Sequence, residues 1–123
     1  MRIAVSIENQ KGMDSSISFH FGRCPFYAIV KAENDEINLE KIIKNPYYEN
    51  HGGPGQVPEF IRDQDVDVMI AGGMGGRAVS FFQRFDIETV TGAQGTVKEA
   101  VEAYLSGDMS GTEPCSHDSG KQC

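Results

Sequence analysis

Two short stretches of this 123-residue chain gather groups able to bind or transform a ligand. The first is His20-Phe21-Gly22-Arg23-Cys24, which sets an imidazole, a guanidinium and a thiol within five positions. Imidazole and thiolate suit iron, copper and zinc. An arginine beside the thiol, with helix ends nearby, is expected to lower its pKa and favour the ligand form. Taken alone, Cys24 reads equally well as an inert buried thiol, and His20 as a loop histidine satisfied by backbone. The second stretch is Gly72-Gly73-Met74-Gly75-Gly76-Arg77. Residues 73–78 formally fit a GxGxxA dinucleotide fingerprint. They follow the fourth expected strand rather than the first, however, and the next strand ends in Thr91-Gly92 with no acid for a ribose. That excludes NAD. What survives is close backbone approach to a compact anion with Arg77 as counter-charge, and a tight strand-to-helix turn explains the same glycines nearly as well.

Two weaker groups accompany these. Tyr47-Tyr48-Glu49-Asn50-His51-Gly52-Gly53 supplies a second histidine beside two glycines, where backbone can approach a ligand closely; simple solvent exposure explains it equally well. The C-terminal stretch holds Cys115, His117 and Cys123, three possible metal ligands where structural zinc wants four. Their spacing matches no strong zinc pattern. Carboxylates are not clustered at strand ends as two-metal hydrolysis requires, and neither a G-x-S-x-G elbow nor a Walker A motif occurs. Nothing in the chain suggests acid–base catalysis, so the expectation is a binding protein and not an enzyme.

These residues need a scaffold to bring them together. Ile3, Val5 and Ile7 alternate with Ala4 and Ser6, which predicts a central strand over 2–8 covered on both faces. Strands are expected over 25–32 and 37–44, joined at Asn34-Asp35-Glu36 as a hairpin, with a bulge where alternation slips at Lys41-Ile42-Ile43. A helical pattern follows from residue 55, with Val57, Phe60 and Ile61 on one side and Pro58 in the first turn, where proline is tolerated. Strand four is expected over 66–71. A second helix over 75–85 buries Ala78, Phe81, Phe82 and Phe85, and strand five covers 87–91. The last helix opens on a capping box at Thr96-Val97-Lys98-Glu99 and ends at Gly107. Residues 108–123 are polar and aperiodic and read as a flexible tail after a single α/β domain over 1–107.

A hairpin followed by right-handed crossovers gives the sheet order 3-2-1-4-5, with only strand two reversed. The loops over 9–23, 45–55, 72–77 and 92–95 then converge on one edge, where all three helices also begin. Ligands of open α/β sheets bind at such an edge, and helix N-termini there favour an anion. Net charge is −7, which argues against a nucleic-acid partner, since phosphate binding needs a basic patch. No apolar run approaches the length of a spanning helix. The polar start lacks a secretory signal, and three cysteines make no complete disulfide framework, so a reducing cytoplasm is expected.

With these blocks in order, the chain resembles the dinitrogenase iron–molybdenum cofactor biosynthesis family of NifX/NifB-type cluster-binding domains. The resemblance runs from about Ile3 to Met109. It rests on IAVSIE, HFGRCPFYAIV, the HGG loop, VDVMIAGGMGGRA and TGAQGTVKEAVEAYLSGDM. It implies a ribonuclease H-like α/β fold that binds or carries iron–sulfur or iron–molybdenum cluster precursors without catalysis of its own, exchanging them with donor and recipient proteins. By motif position, His20, Gly22, Arg23, Gly72, Gly73 and Gly75 belong to the family's cleft. Cys24 is not part of that pattern, and the cysteine-containing tail lies outside it. The expected ligand is therefore an anionic metal–sulfur cluster. It would be neutralised by Arg23, Arg77 and backbone amides of the 52–53 and 72–75 glycines, with Cys24, His20 or His51 as metal ligands. The alternatives are a plain oxyanion-binding module and a thiol-dependent redox protein using Cys24.

Overall fold

The computed structural model describes residues 1–34, 36–48 and 56–107. The alternation at the start of the chain becomes β1 (Arg2–Ile7), buried at every position from Ile3 to Ile7. Its two faces enter two different cores. Ala4 packs with Ile61, Met69, Val79 and Phe82, whereas Ile3, Val5 and Ile7 pack with Val97, Ala100 and Val101. This is why small and apolar residues fill both sides of the strand: at roughly 25 cal/mol per Å² of apolar area, burial on two faces is the main stabilising contribution.

β2 (Phe26–Glu33) pairs antiparallel with β1, and β3 (Glu36–Lys44) pairs antiparallel with β2. Between Ile29 and Val30 the β3 partner jumps from Lys41 to Leu39, so Glu40 is the extra residue of a bulge, one position ahead of the expected one. Glu40 has a specific partner. Arg2 Nε and Nη2 donate to its two carboxylate oxygens at 2.9 and 2.8 Å, and Arg2 Nη1 donates to the Gln64 carbonyl at 3.1 Å.

The second half alternates helix and strand: α1 (Gln56–Arg62), β4 (Val68–Ile70), α2 (Gly76–Arg84), β5 (Glu88–Val90) and α3 (Val97–Leu105). β4 lies parallel to β1 and β5 parallel to β4, which gives the sheet order β3-β2-β1-β4-β5. The five-stranded mixed sheet with one reversed strand and three helices is thus the expected architecture. α1 and α2 cover one face of the sheet and α3 the other. One detail of α2 differs from its helical pattern. Val79 is buried with Phe82, while Phe81 lies at the rim beneath the Arg84 guanidinium, 5.5 Å from the ring centroid. Among the described residues no helix is long and apolar enough to cross a membrane.

Candidate functional site

After β1 the chain does not leave the sheet edge but folds back over it. Glu8 N donates to the Ser16 carbonyl at 2.9 Å and Ser18 N to the Ser6 carbonyl at 2.8 Å, which anchor the returning segment on β1. From there it reaches the end of β4. Gly72 N donates to the Ser18 carbonyl at 3.0 Å, Phe21 N donates to the Gly73 carbonyl at 3.1 Å, and His20 forms an isolated parallel bridge with Gly73. It also reaches α3, where Ile17 N donates to the Gly95 carbonyl at 3.0 Å and Val97 N to the Ser15 carbonyl at 3.1 Å. One loop therefore stitches together the C-terminal ends of β1 and β4 and the start of α3. Gly72 makes the approach possible. A β-carbon there would lie 2.7 Å from Phe19 Cα and 3.0 Å from the Ser18 oxygen.

A second set of bonds fixes the segment carrying His20 to Cys24. The Ser18 hydroxyl accepts from His20 N and donates to His20 O, each at 3.2 Å. The Tyr27 hydroxyl donates to the Phe21 carbonyl at 2.7 Å. Asn45, buried at the end of β3, donates from Nδ2 to the carbonyls of Gly22 at 3.2 Å and Cys24 at 2.8 Å. Ser18, Tyr27 and Asn45 are positioning residues that the motif-based reading passes over. Of the three, only Asn45, a polar residue directly after a strand, carries a local signal.

His20 is half-buried at the centre of this arrangement. Its ring meets Phe19 edge-to-face at 5.1 Å, and its Nδ1 is buried with no hydrogen-bond partner among the described residues. Leaving such a group unsatisfied costs about 1–3 kcal/mol. The bridge partner of His20, Gly73, leads into α2. Its N-cap, Gly75, has φ −70° and ψ 156°, no side chain caps the helix, and no acid occupies the first turn. The ordinary extended conformation of Gly75 removes any argument from backbone strain. Among the described residues nothing lies within 4 Å of a β-carbon at Gly75, nor of one at Gly22, so added side-chain atoms meet open space there. Arg23 and Arg77 are exposed, and Gly73 is buried. The structure thus brings His20, Gly22, Arg23, Gly72, Gly73 and Gly75 to one edge. His51, Gly52 and Gly53 lie outside the described residues, as do Cys115, His117 and Cys123.

Two expectations are corrected. The first concerns Cys24. Its side chain is fully buried and donates to the Phe21 carbonyl at 3.4 Å. Burial pushes the thiol up to about 11 from 9.0, although polar groups around it partly oppose the rise. Desolvation of the thiolate outweighs any help from Arg23, whose guanidinium stays in solvent. The second concerns helix ends. The α3 terminus is already satisfied: Thr96 Oγ1 accepts from Glu99 N at 3.2 Å, Glu99 Oε1 accepts from Thr96 N at 3.0 Å, and Ser15 takes Val97 N. A carboxylate sits where an anion would bind. Of α2 and α3, whose caps lie among the described residues, α2 has the open start.

The site's donor set is accordingly poor in metal ligands. No group of three or more His, Cys, Asp or Glu able to hold a metal ion occurs among the described residues. What the edge offers is backbone amide, flanking arginine, one imidazole nitrogen in want of a partner, and room.

The family model described as dinitrogenase iron–molybdenum cofactor matches residues 1–107, which includes every described element of this edge. The chain belongs to that family. An uncharacterized protein of Methanocaldococcus jannaschii, MJ0580, is 30% identical to it over 110 residues, covering 89% of each. The crystal structure of PH0822 superposes with a TM-score of 0.77 at 31% identity, covering 89% of this chain and 94% of that one. The apo form of the orange protein from Desulfovibrio gigas shares the fold, with a TM-score of 0.76 at 24% identity over 88% of this chain and 89% of that one. Membership in the dinitrogenase iron–molybdenum cofactor family links this chain to that cofactor's biosynthesis.

Proposed function

We propose that this protein binds an anionic metal–sulfur cluster at the edge formed by β1, β4 and the start of α2, and carries it between a donor and a recipient protein. The reading takes the fold as ribonuclease H-like, the protein as an assembly accessory factor of the cytoplasm and not an enzyme, and the cluster as cargo. The observation that carries it is the Nδ1 of His20, buried without a hydrogen-bond partner among the described residues, on a segment bridged to Gly73 just ahead of the α2 start, which no side chain caps. An imidazole nitrogen is a ligand for iron, and amides at a helix start stabilise negative charge. A polyanionic cluster gives both a partner.

Holding cargo this way suits a carrier. One imidazole, backbone amides and the exposed Arg23 guanidinium fix an anion less firmly than a closed set of thiolates, so transfer need not break several metal–sulfur bonds to protein. Cys24 is a core thiol in this reading. That weighs against the thiol-dependent redox alternative, because the thiolate and not the thiol is the nucleophile. Anaerobic incubation with ferrous iron and sulfide, followed by desalting, tests the proposal. Retained visible absorption with stoichiometric iron supports it. A colourless protein that instead binds molybdate or phosphate with equal strength in the His20→Ala variant would make it a plain oxyanion module.

A further inference from the structure

The outward face of α2 carries a groove lined by Gly76, Arg77, Ser80, Phe81 and Arg84. We infer that this groove docks an acidic segment of a partner protein, with two carboxylates meeting Arg77 and Arg84 and an apolar side chain resting on Phe81. This holds whichever ligand the neighbouring edge takes.

Charge is the first ground. The chain has 18 acidic against 11 basic residues, yet α2 (GRAVSFFQR) contains no acid. Neither Arg77 nor Arg84 forms an ion pair among the described residues. Arg84, in the last turn, has a local reason to be there, because a cation complements the helix C-terminus; Arg77, in the first turn, sits at the positive end and is opposed by the same dipole. Local structure does not call for that guanidinium, whereas a carboxylate brought by a partner does.

Shape and composition are the second. The two arginines stand seven positions apart, about 10 Å along the helix axis, a span that a short peptide segment matches. Phe81 lies between them with the Arg84 guanidinium 5.5 Å from its ring centroid, and Arg62 caps the adjacent Phe85 at 4.7 Å. Aromatic and arginine side chains together are the usual anchors of protein interfaces. A nucleic acid would need many more cationic contacts to displace its counterions, and the net charge of −7 opposes its approach. The groove begins at Gly76, in the first turn of α2, so a partner seated there stands beside the candidate edge.

The test is a titration of the ¹⁵N-labelled full chain with a synthetic helical peptide bearing two glutamates seven residues apart and a leucine between them on the same face. Amide shifts should centre on Arg77, Ser80, Phe81 and Arg84. Affinity should fall at least about tenfold in Arg77→Gln/Arg84→Gln, fall again as salt rises to about 0.3 M, and be absent for a peptide with lysines in place of the glutamates. Shifts that map elsewhere, no shifts at all, or equal affinity in the double variant would overturn the inference, as would preferential binding of duplex DNA or anionic phospholipid vesicles. If the double variant does not fold, the shift map and salt dependence of the unaltered chain decide.

Discussion

Gly72 passes so close to Phe19 that a β-carbon on one would lie 2.7 Å from the Cα of the other. The contact is between two backbones, neither of which can rotate away as a side chain would. It is reinforced on both sides by the bonds from Gly72 N to Ser18 O and from Phe21 N to Gly73 O. Gly72→Ala is therefore expected to force the 18–21 segment off the end of β4 and to destabilise the fold by about 1–3 kcal/mol, the usual range for overpacking. Urea denaturation measures the loss. An unchanged midpoint would show that the loop is held elsewhere.

Asn45 predicts a second, separable effect. Asn45→Ala removes the donors to the Gly22 and Cys24 carbonyls and leaves both acceptors in or near the interior. The expected cost is about 1–3 kcal/mol, with increased amide exchange at Arg23 and Cys24. Asn45→Asp should be as costly, since a carboxylate offers acceptors where donors are needed.

Much of this was legible in the sequence, for identifiable reasons. Ile3, Val5 and Ile7 against Ala4 and Ser6 announce a strand buried on both faces, and Thr96 with Glu99 announces a helix start; both are local patterns, and both appear as expected. The order of the sheet follows from chirality once the strands are placed. The burial of Cys24 was not legible. Its neighbours in sequence, Arg23 and Pro25, are polar or turn-forming, and only the packing of Phe21, Tyr27 and Ile61 into the same core encloses the thiol. The α3 terminus misled in the opposite sense: its capping box was readable, but that Glu99 thereby takes the place of an anion is visible only once the loop from Ser15 closes over Val97.

The Cys24 thiol gives a prediction in pH. Its folded-state pKa, about 11, exceeds the ordinary 9.0, so between these values the native state binds more protons than the unfolded state. Stability is then fully present below about pH 9 and falls as pH rises through 11, by on the order of 2–3 kcal/mol from this group. In a Cys115→Ser/Cys123→Ser background, Cys24→Ala should flatten that alkaline limb. In the same background, iodoacetamide at pH 8 should modify the native chain far more slowly than the urea-unfolded chain. Equal rates would place Cys24 in reach of solvent and return it to the list of ligands.

The site itself is tested by a change that leaves the scaffold alone. Gly75 has an ordinary negative φ and open space where a side chain would go, so Gly75→Val should keep the wild-type thermal unfolding midpoint to within a few degrees. The same side chain would project over the first amides of α2. The decisive measurement is retention of a reconstituted iron–sulfur cluster by wild type, His20→Ala and Gly75→Val. Visible absorption and iron content would be followed anaerobically, with unfolding recorded on the same samples. Wild type should hold the cluster, and both variants should bind it at least about tenfold more weakly, roughly 1.4 kcal/mol, while remaining folded. Folded variants with undiminished cluster would contradict the assignment of this edge as the binding site.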